Sequence, residues 1–154
     1  MALADILNLV AAQLLTIPSA GIVNLFRPIG HHPQDLVTIF GSDQNIKAWF
    51  VSLDDRDSTL EERQTNIHVM RKYRILIEFY RSVIDPSVTE PETLGLSEQA
   101  MTKFRNMATN NVVPYNIEYS DAPNRVEFTR VDLGNTFLCH YVRHIWTVHE
   151  RIIS

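Results

Sequence analysis

The stretch that most constrains this chain is Asn66–Arg81, NIHVMRKYRILIEFYR. Val69, Tyr73, Ile75, Ile77 and Phe79 fall on one parity, and His68, Lys72, Arg74, Glu78 and Tyr80 fall on the other. Such alternation predicts a β-strand with one buried face; Arg71 and Leu76 interrupt it without abolishing it. At about 3.3 Å per residue the strand would run about 50 Å, where roughly five or six residues are usual. A small domain does not cover that length, so part of the strand is expected to project. The chain is therefore organised around a sheet.

The remaining elements are read from period and punctuation. Ala2–Leu15 carries Leu3, Ile6, Leu7, Val10 and Leu14 at helical spacing, and its thin polar face predicts packing on a sheet. Ile22–Phe26 is a short strand bounded by Gly21 and Arg27-Pro28, and residues 28–33 form a loop by their Pro and Gly content. Asp35–Phe40 reads as either a brief strand or an extended connection, and Gly41–Asn45 as a turn. Ile46–Leu53, aromatic and β-branched, is a strand.

Asp54–Thr65 is the most charged stretch and reads as a long solvated loop, and Ser82–Ser97 as a second one because of Pro86, Pro91 and Gly95. Ser97 then caps a helix over Glu98–Thr109 with Ala100, Met101, Phe104, Met107 and Ala108 inward. Pro114–Tyr119 is a short strand. Arg125–Leu133 changes parity between Phe128 and Val131, which predicts a bulge or bend near Thr129-Arg130. A Gly-Asn turn leads into Thr136–Ile152, apolar on both parities at its start. The fold class expected is α+β: a mostly antiparallel mixed sheet, two helices on one side, and long projecting strands, in one domain over residues 1–154.

Composition narrows function more by exclusion than by indication. A net charge of −4 gives no electrostatic reason for nucleic acid or an anionic membrane as partner. No run reaches the roughly 18 apolar residues of a membrane span, and the start carries Asp5 and no basic region, unlike a signal peptide. Eleven Arg stand against three Lys, a balance that favours interfaces. The single cysteine, Cys139, lies in an apolar run and reads as buried and inert.

Metal and acid–base chemistry find little purchase. His140 and His144 would share an ion on a helix, but four residues along a strand separate them by roughly 13 Å. His31-His32 lies in a loop. The acids Asp54, Asp55, Asp57, Glu61 and Glu62 cluster with Arg56 and Arg63 in solvent, which does not shift carboxyl pKa values. Glu78, among Arg74, Tyr80 and Arg81, reads as a cross-strand or intersubunit ion pair before a catalytic acid. Phosphate-binding glycine loops and nucleophile elbows are missing. The expectation is a protein with no catalytic residues, no metal and no cofactor.

The order helix, short strand, strand, charged loop, long strand, helix and closing hairpin resembles the lambda-type tail terminator family of long-tailed bacteriophages. The likeness rests on Ile46–Leu53, the polar loop Asp54–Thr65, the long strand ending ILIEFY, and the hairpin Arg125–Arg151. It covers most of the chain as element order. The stretch before Ile46 and the segment Ser82–Ser97 depart from it. The resemblance implies a virion protein made in the host cytoplasm. It would form a homo-oligomeric, hexameric ring that caps the tail tube, ends tube polymerisation and joins the head–tail connector, with DNA passing through but not specifically bound. Arg71, Arg74, Glu78 and Arg81 are then the expected subunit contacts. Asp54, Asp55, Arg56, Asp57, Glu61, Glu62 and Arg63 form the expected docking loop for the tube or connector. Another neck or head-completion protein, and a small soluble binding domain or enzyme, remain as alternatives.

Overall fold

A computed structural model describes residues 3–25, 45–53, 61–64, 68–110, 117–119, 125–133 and 137–153. The fold is α+β, with two helices packed on one face of a mixed sheet that is mostly antiparallel. The helices are α1 (Leu3–Leu15) and α2 (Pro86–Asn110). The strands are β1 (Ile22–Asn24), β2 (Lys47–Leu53), β3 (Glu61–Gln64), β4 (His68–Ser82), β5 (Ile117–Tyr119), β6 (Arg125–Leu133) and β7 (Phe137–Ile153).

The long alternating stretch is the centre of the sheet, as its sequence predicts. β4 pairs with β7 without interruption from His68–Ile153 to Ser82–Cys139. On the other side of β4 lie β2 and β3 in line, and on the far side of β7 lie β6 and β5 in line. β1 adds to β2 as the one parallel pair among the described strands. The result is five rows with the two longest strands in the middle.

Parity assigns the faces. Ile75, Ile77 and Phe79 of β4 join Trp49 and Val51 of β2 and Val142 and Trp146 of β7 beneath the helices. α1 contributes Ile6, Val10 and Leu14, and α2 contributes Leu96, Ala100 and Phe104. The Trp49 ring stacks on Phe79 at 4.4 Å, and Phe104 meets the Trp146 ring edge-on at 5.0 Å. Such aromatic pairs add about 0.5–1.5 kcal/mol each beyond area burial. The opposite face is also buried at its centre, where Ile46, Ala48, Phe50, Tyr80 and Cys139 form a smaller cluster. Leu76, which breaks the alternation in the sequence, is buried on that second face. The strand has two dry faces along its middle.

The turn after α1 is fixed by backbone geometry. Ser19 and Gly21 adopt positive φ (59° and 92°), and the Trp49 indole donates to the Ala20 carbonyl at 3.0 Å. A Cβ on Gly21 would stand 2.2 Å from the Lys47 carbonyl oxygen, so only glycine permits β1 to run this close to β2.

Three expectations are corrected. The segment 82–97, read as a loop, is helical from Pro86. Asp85 caps it: its Oδ1 accepts from the Ser87 backbone N–H at 3.1 Å and from the Ser87 hydroxyl at 2.7 Å. Pro86 takes the first helical position, where no N–H is missed. Pro91 does cost an intrahelical bond, but both it and Ser87, whose carbonyl loses the partner, face solvent. The buried face of this half helix is Thr89, Thr93, Leu96 and Ser97, so hydroxyls stand at three of its four buried positions. Ser97, expected as a cap, is in mid-helix.

The charged stretch 54–65 is not all loop. Glu61–Gln64 is strand β3, and its register sets Glu61 opposite Lys72 and Glu62 opposite Arg71. β6 carries no bulge; its register with β7 is unbroken. The parity change is real but serves two faces, Val126 packing toward the helices and Val131 toward the second cluster.

A 25-residue helix is about 38 Å long, and α2 runs beside β7 as far as β5. The readings for residues 28–44, including His31-His32, lie outside the described residues.

Candidate functional site

Three groups of polar side chains surround α2 and the middle of the sheet. The first is an ion cluster where α2 begins. Arg81 of β4 donates from Nη1 to the Asn45 side chain at 2.6 Å and from Nη2 to Glu92 of α2 at 3.3 Å, and Lys47 of β2 reaches Glu92 at 2.7 Å. Burial disfavours ionisation of Glu92, but the hydrogen bonds and charges of Lys47 and Arg81 outweigh it and hold the carboxyl below its ordinary value.

The second group is a row of imidazole–hydroxyl pairs between β7 and α2. His140 Nε2 lies 2.9 Å from Thr89 Oγ1, and His144 Nε2 lies 3.0 Å from Ser97 Oγ. Between them Thr93 donates back to the Thr89 carbonyl at 2.7 Å. The strand spacing that separates the two imidazoles matches two turns of helix, about 12 Å over eight residues. Each histidine therefore meets its own hydroxyl, not a shared ion. Among the described residues there is no cluster of three or more metal-ligating side chains. Burial lowers both histidines. For His140, Arg130 and Arg81 add to that effect and Glu90 opposes it. His144, lowered by burial alone, falls to about 4.

Ser97 and His144 have the spacing of a nucleophile and its base. Both are fully buried, and among the described residues His144 Nδ1 has no hydrogen-bond partner. The pair ties the middle of α2 to the sheet.

The third group lies on the opposite face. Glu78, only 2% exposed, accepts from the hydroxyls of Tyr80, at 3.4 Å, and Tyr141. In the next register positions Arg143 stands opposite Glu78 and pairs with Glu127 of β6, so an acid–base–acid row crosses β4, β7 and β6.

The four expected contact positions are thus divided. Strand alternation puts Arg81 on the helix side and Arg74 and Glu78 on the other, while the side chain of Arg71 lies outside the described residues. They do not share one face. Glu78 and Arg81 are engaged within the chain, and Arg74 is half-buried with interactions of its own. Of the expected docking loop, Glu61, Glu62 and Arg63 lie on β3, while Asp54, Asp55, Arg56 and Asp57 lie outside the described residues.

A cleft of about 170 Å³ opens between α2 and the β6–β7 hairpin. Glu90, Thr93 and Leu94 form one wall, Phe128 and Arg130 the other, and His140 lies at its inner side. Sequence reasoning missed it because it assigned the α2 wall to a loop. Phe128 is 51% exposed and Leu94 is 42% exposed, so an apolar rim stands in water beside the β6 edge. At the other edge Leu15, Ile22 and Leu25 are likewise exposed around β1.

Compared with known proteins, the chain matches no family model and no curated sequence. What the geometry defines is a class: an α+β domain built on a five-row sheet. Among the described residues no helix is long and apolar enough to cross a membrane.

Proposed function

We propose that this chain is a structural protein of a long-tailed phage virion, a tail terminator without catalytic activity. In this reading its copies close a ring on the end of the tail tube and meet the head–tail connector. The observation that carries it is the pair of sheet edges. Exposed apolar residues stand at both, Leu15, Ile22 and Leu25 at one and Leu94 and Phe128 at the other. Two different sticky edges on one sheet suit head-to-tail contact, which closes into rings when the rotation allows. Because Glu78 and Arg81 are satisfied inside the chain, this reading puts the subunit contact at the edges and not at the charged positions of β4.

Sedimentation velocity tests it. The parent protein at tens of micromolar is expected to sediment as a closed oligomer, and Phe128→Glu as a monomer with unchanged far-UV circular dichroism. An oligomer unaffected by Phe128→Glu would remove the edge contact. The cleft supports a second reading, a small-ligand binding domain. Its volume falls below the roughly 300–1,000 Å³ of ordinary ligand sites, which ranks that reading second.

A further inference from the structure

The side of α2 that faces the sheet is unusual in what it buries. Thr89, Thr93 and Ser97 occupy positions where a helix ordinarily presents leucine or valine, and all three are buried. The sheet answers with His140 and His144, also buried. The α2–sheet contact is therefore made partly by imidazoles and hydroxyls and partly by Leu96, Ala100 and Phe104.

The imidazoles suit this place only when neutral. One nitrogen of His144 is occupied by Ser97, and Nδ1 is buried with no hydrogen-bond partner among the described residues. Protonation would put an N–H and a positive charge at that orphaned atom, in a dry core beside the Trp49 ring at 6.2 Å. Around His140 stand Glu90 of α2, Arg81 of β4 and Arg130 of β6, and two of these three charges repel a second cation. Lys47 of β2 and Glu92 of α2 complete the ion cluster beside Arg81. α1 contributes the apolar side chains of Ile6, Val10 and Leu14 to the same core. The β4–β7 ladder, by contrast, is held by backbone pairing that no imidazole takes part in.

We propose that the His140–Thr89 and His144–Ser97 contacts form an acid-sensitive latch, which releases α2 from the sheet on protonation while the central β4–β7 ladder stays paired. The sign follows from linkage. A released histidine takes up its proton near 6.5, whereas in the closed fold burial holds His144 down to about 4. The open form therefore binds more protons between those values, and the closed form weakens as pH falls through that window. Below about 4 both forms are protonated and no further weakening comes from this group. From pH 7 to pH 4, His144 alone shifts the opening equilibrium about a hundredfold toward release.

Amide hydrogen exchange on the intact protein reads this directly, with intrinsic rates corrected at each pH. Between pH 7 and pH 4 the amides of α2 from Thr93 to Phe104 are expected to lose about a hundredfold in protection, while those of Ile75–Phe79 keep theirs. The two tryptophans, Trp49 and Trp146, both sit in this core and supply a fluorescence change over the same window. The double variant His140→Gln, His144→Gln keeps side chains able to hydrogen bond but not to titrate, and is expected to abolish the selective loss. Constant protection of α2 down to pH 4 would overturn the latch, as would parallel loss in α2 and the ladder, or persistence of the selective loss in the double variant. Should that variant not fold, imidazole NMR titration of the parent decides. His144 is expected to titrate together with helix release, and titration at about 6.5 with α2 still protected refutes the proposal.

Discussion

Replacing Ser97 with alanine tests whether the buried hydroxyls of α2 hold the helix down or are merely tolerated. The substitution removes the bond of 3.0 Å to His144 and leaves Nε2 as orphaned as Nδ1 already is. Leaving one buried polar partner unpaired costs about 1–3 kcal/mol. Against this, alanine is the better helix former in mid-helix by about 0.5 kcal/mol. The net expectation is a loss of about 1–2 kcal/mol at pH 7.5. For a chain of this length that lowers Tm by about 3–6 °C. Thr102→Ala in the same helix is the internal control. Thr102 is exposed and its hydroxyl only bonds back to the Glu98 carbonyl at 3.0 Å, so alanine there is expected to raise Tm slightly. Thermal and urea unfolding followed by far-UV circular dichroism provide the assay. If Ser97→Ala is as stable as the parent, or the two variants behave alike, the hydroxyl clamp is not what anchors α2.

Other substitutions separate backbone from side-chain effects. Gly21→Ala is expected to destabilise by at least about 2–4 kcal/mol, since the new Cβ meets the Lys47 carbonyl and the positive φ is strained as well; urea unfolding would show a neutral change if β1 does not dock as described. Gly95→Ala should stabilise by about 0.5–1 kcal/mol because its Cβ meets nothing within 4 Å in a helix, and a calorimetric loss would contradict the helical start at Pro86. The buried Cys139 is expected to resist thiol reagents in the native protein and to react at once in denaturant; rapid native labelling would mean the second sheet face is open.

The parts of this fold legible in the sequence were those whose hydrophobic pattern matched their structure. β4 announced itself by alternation, α1 by its three- and four-residue stripe, and the first half of β7 by being apolar on both parities, as a strand dry on two faces must be. The first half of α2 was not legible, because its inward side holds Thr89, Thr93 and Ser97 with Leu96 as its one apolar residue, and its helix contains Pro91 and Gly95. The cleft depends on that half helix, so it was hidden with it. β3 was masked by charge: a run of acids and arginines reads as solvent-facing until the bases of β4 are known to lie across from it. The charged positions of β4 divide between faces because Arg81 sits on the parity opposite to Glu78, and sequence alone does not show that Glu92 and Asn45 are there to receive it. The buried pairing of His140 and His144 had a visible signal in their spacing, which ruled out a shared ion without revealing the two hydroxyls.

The central claim is assembly into a closed ring, and native mass spectrometry joined to negative-stain imaging tests it most directly. The intact protein, alone and mixed with the tail-tube protein of a long-tailed phage, is expected to give one discrete oligomer, six copies in the reading proposed, with ring-shaped class averages. A monomer at all concentrations, unchanged by tube protein, contradicts it.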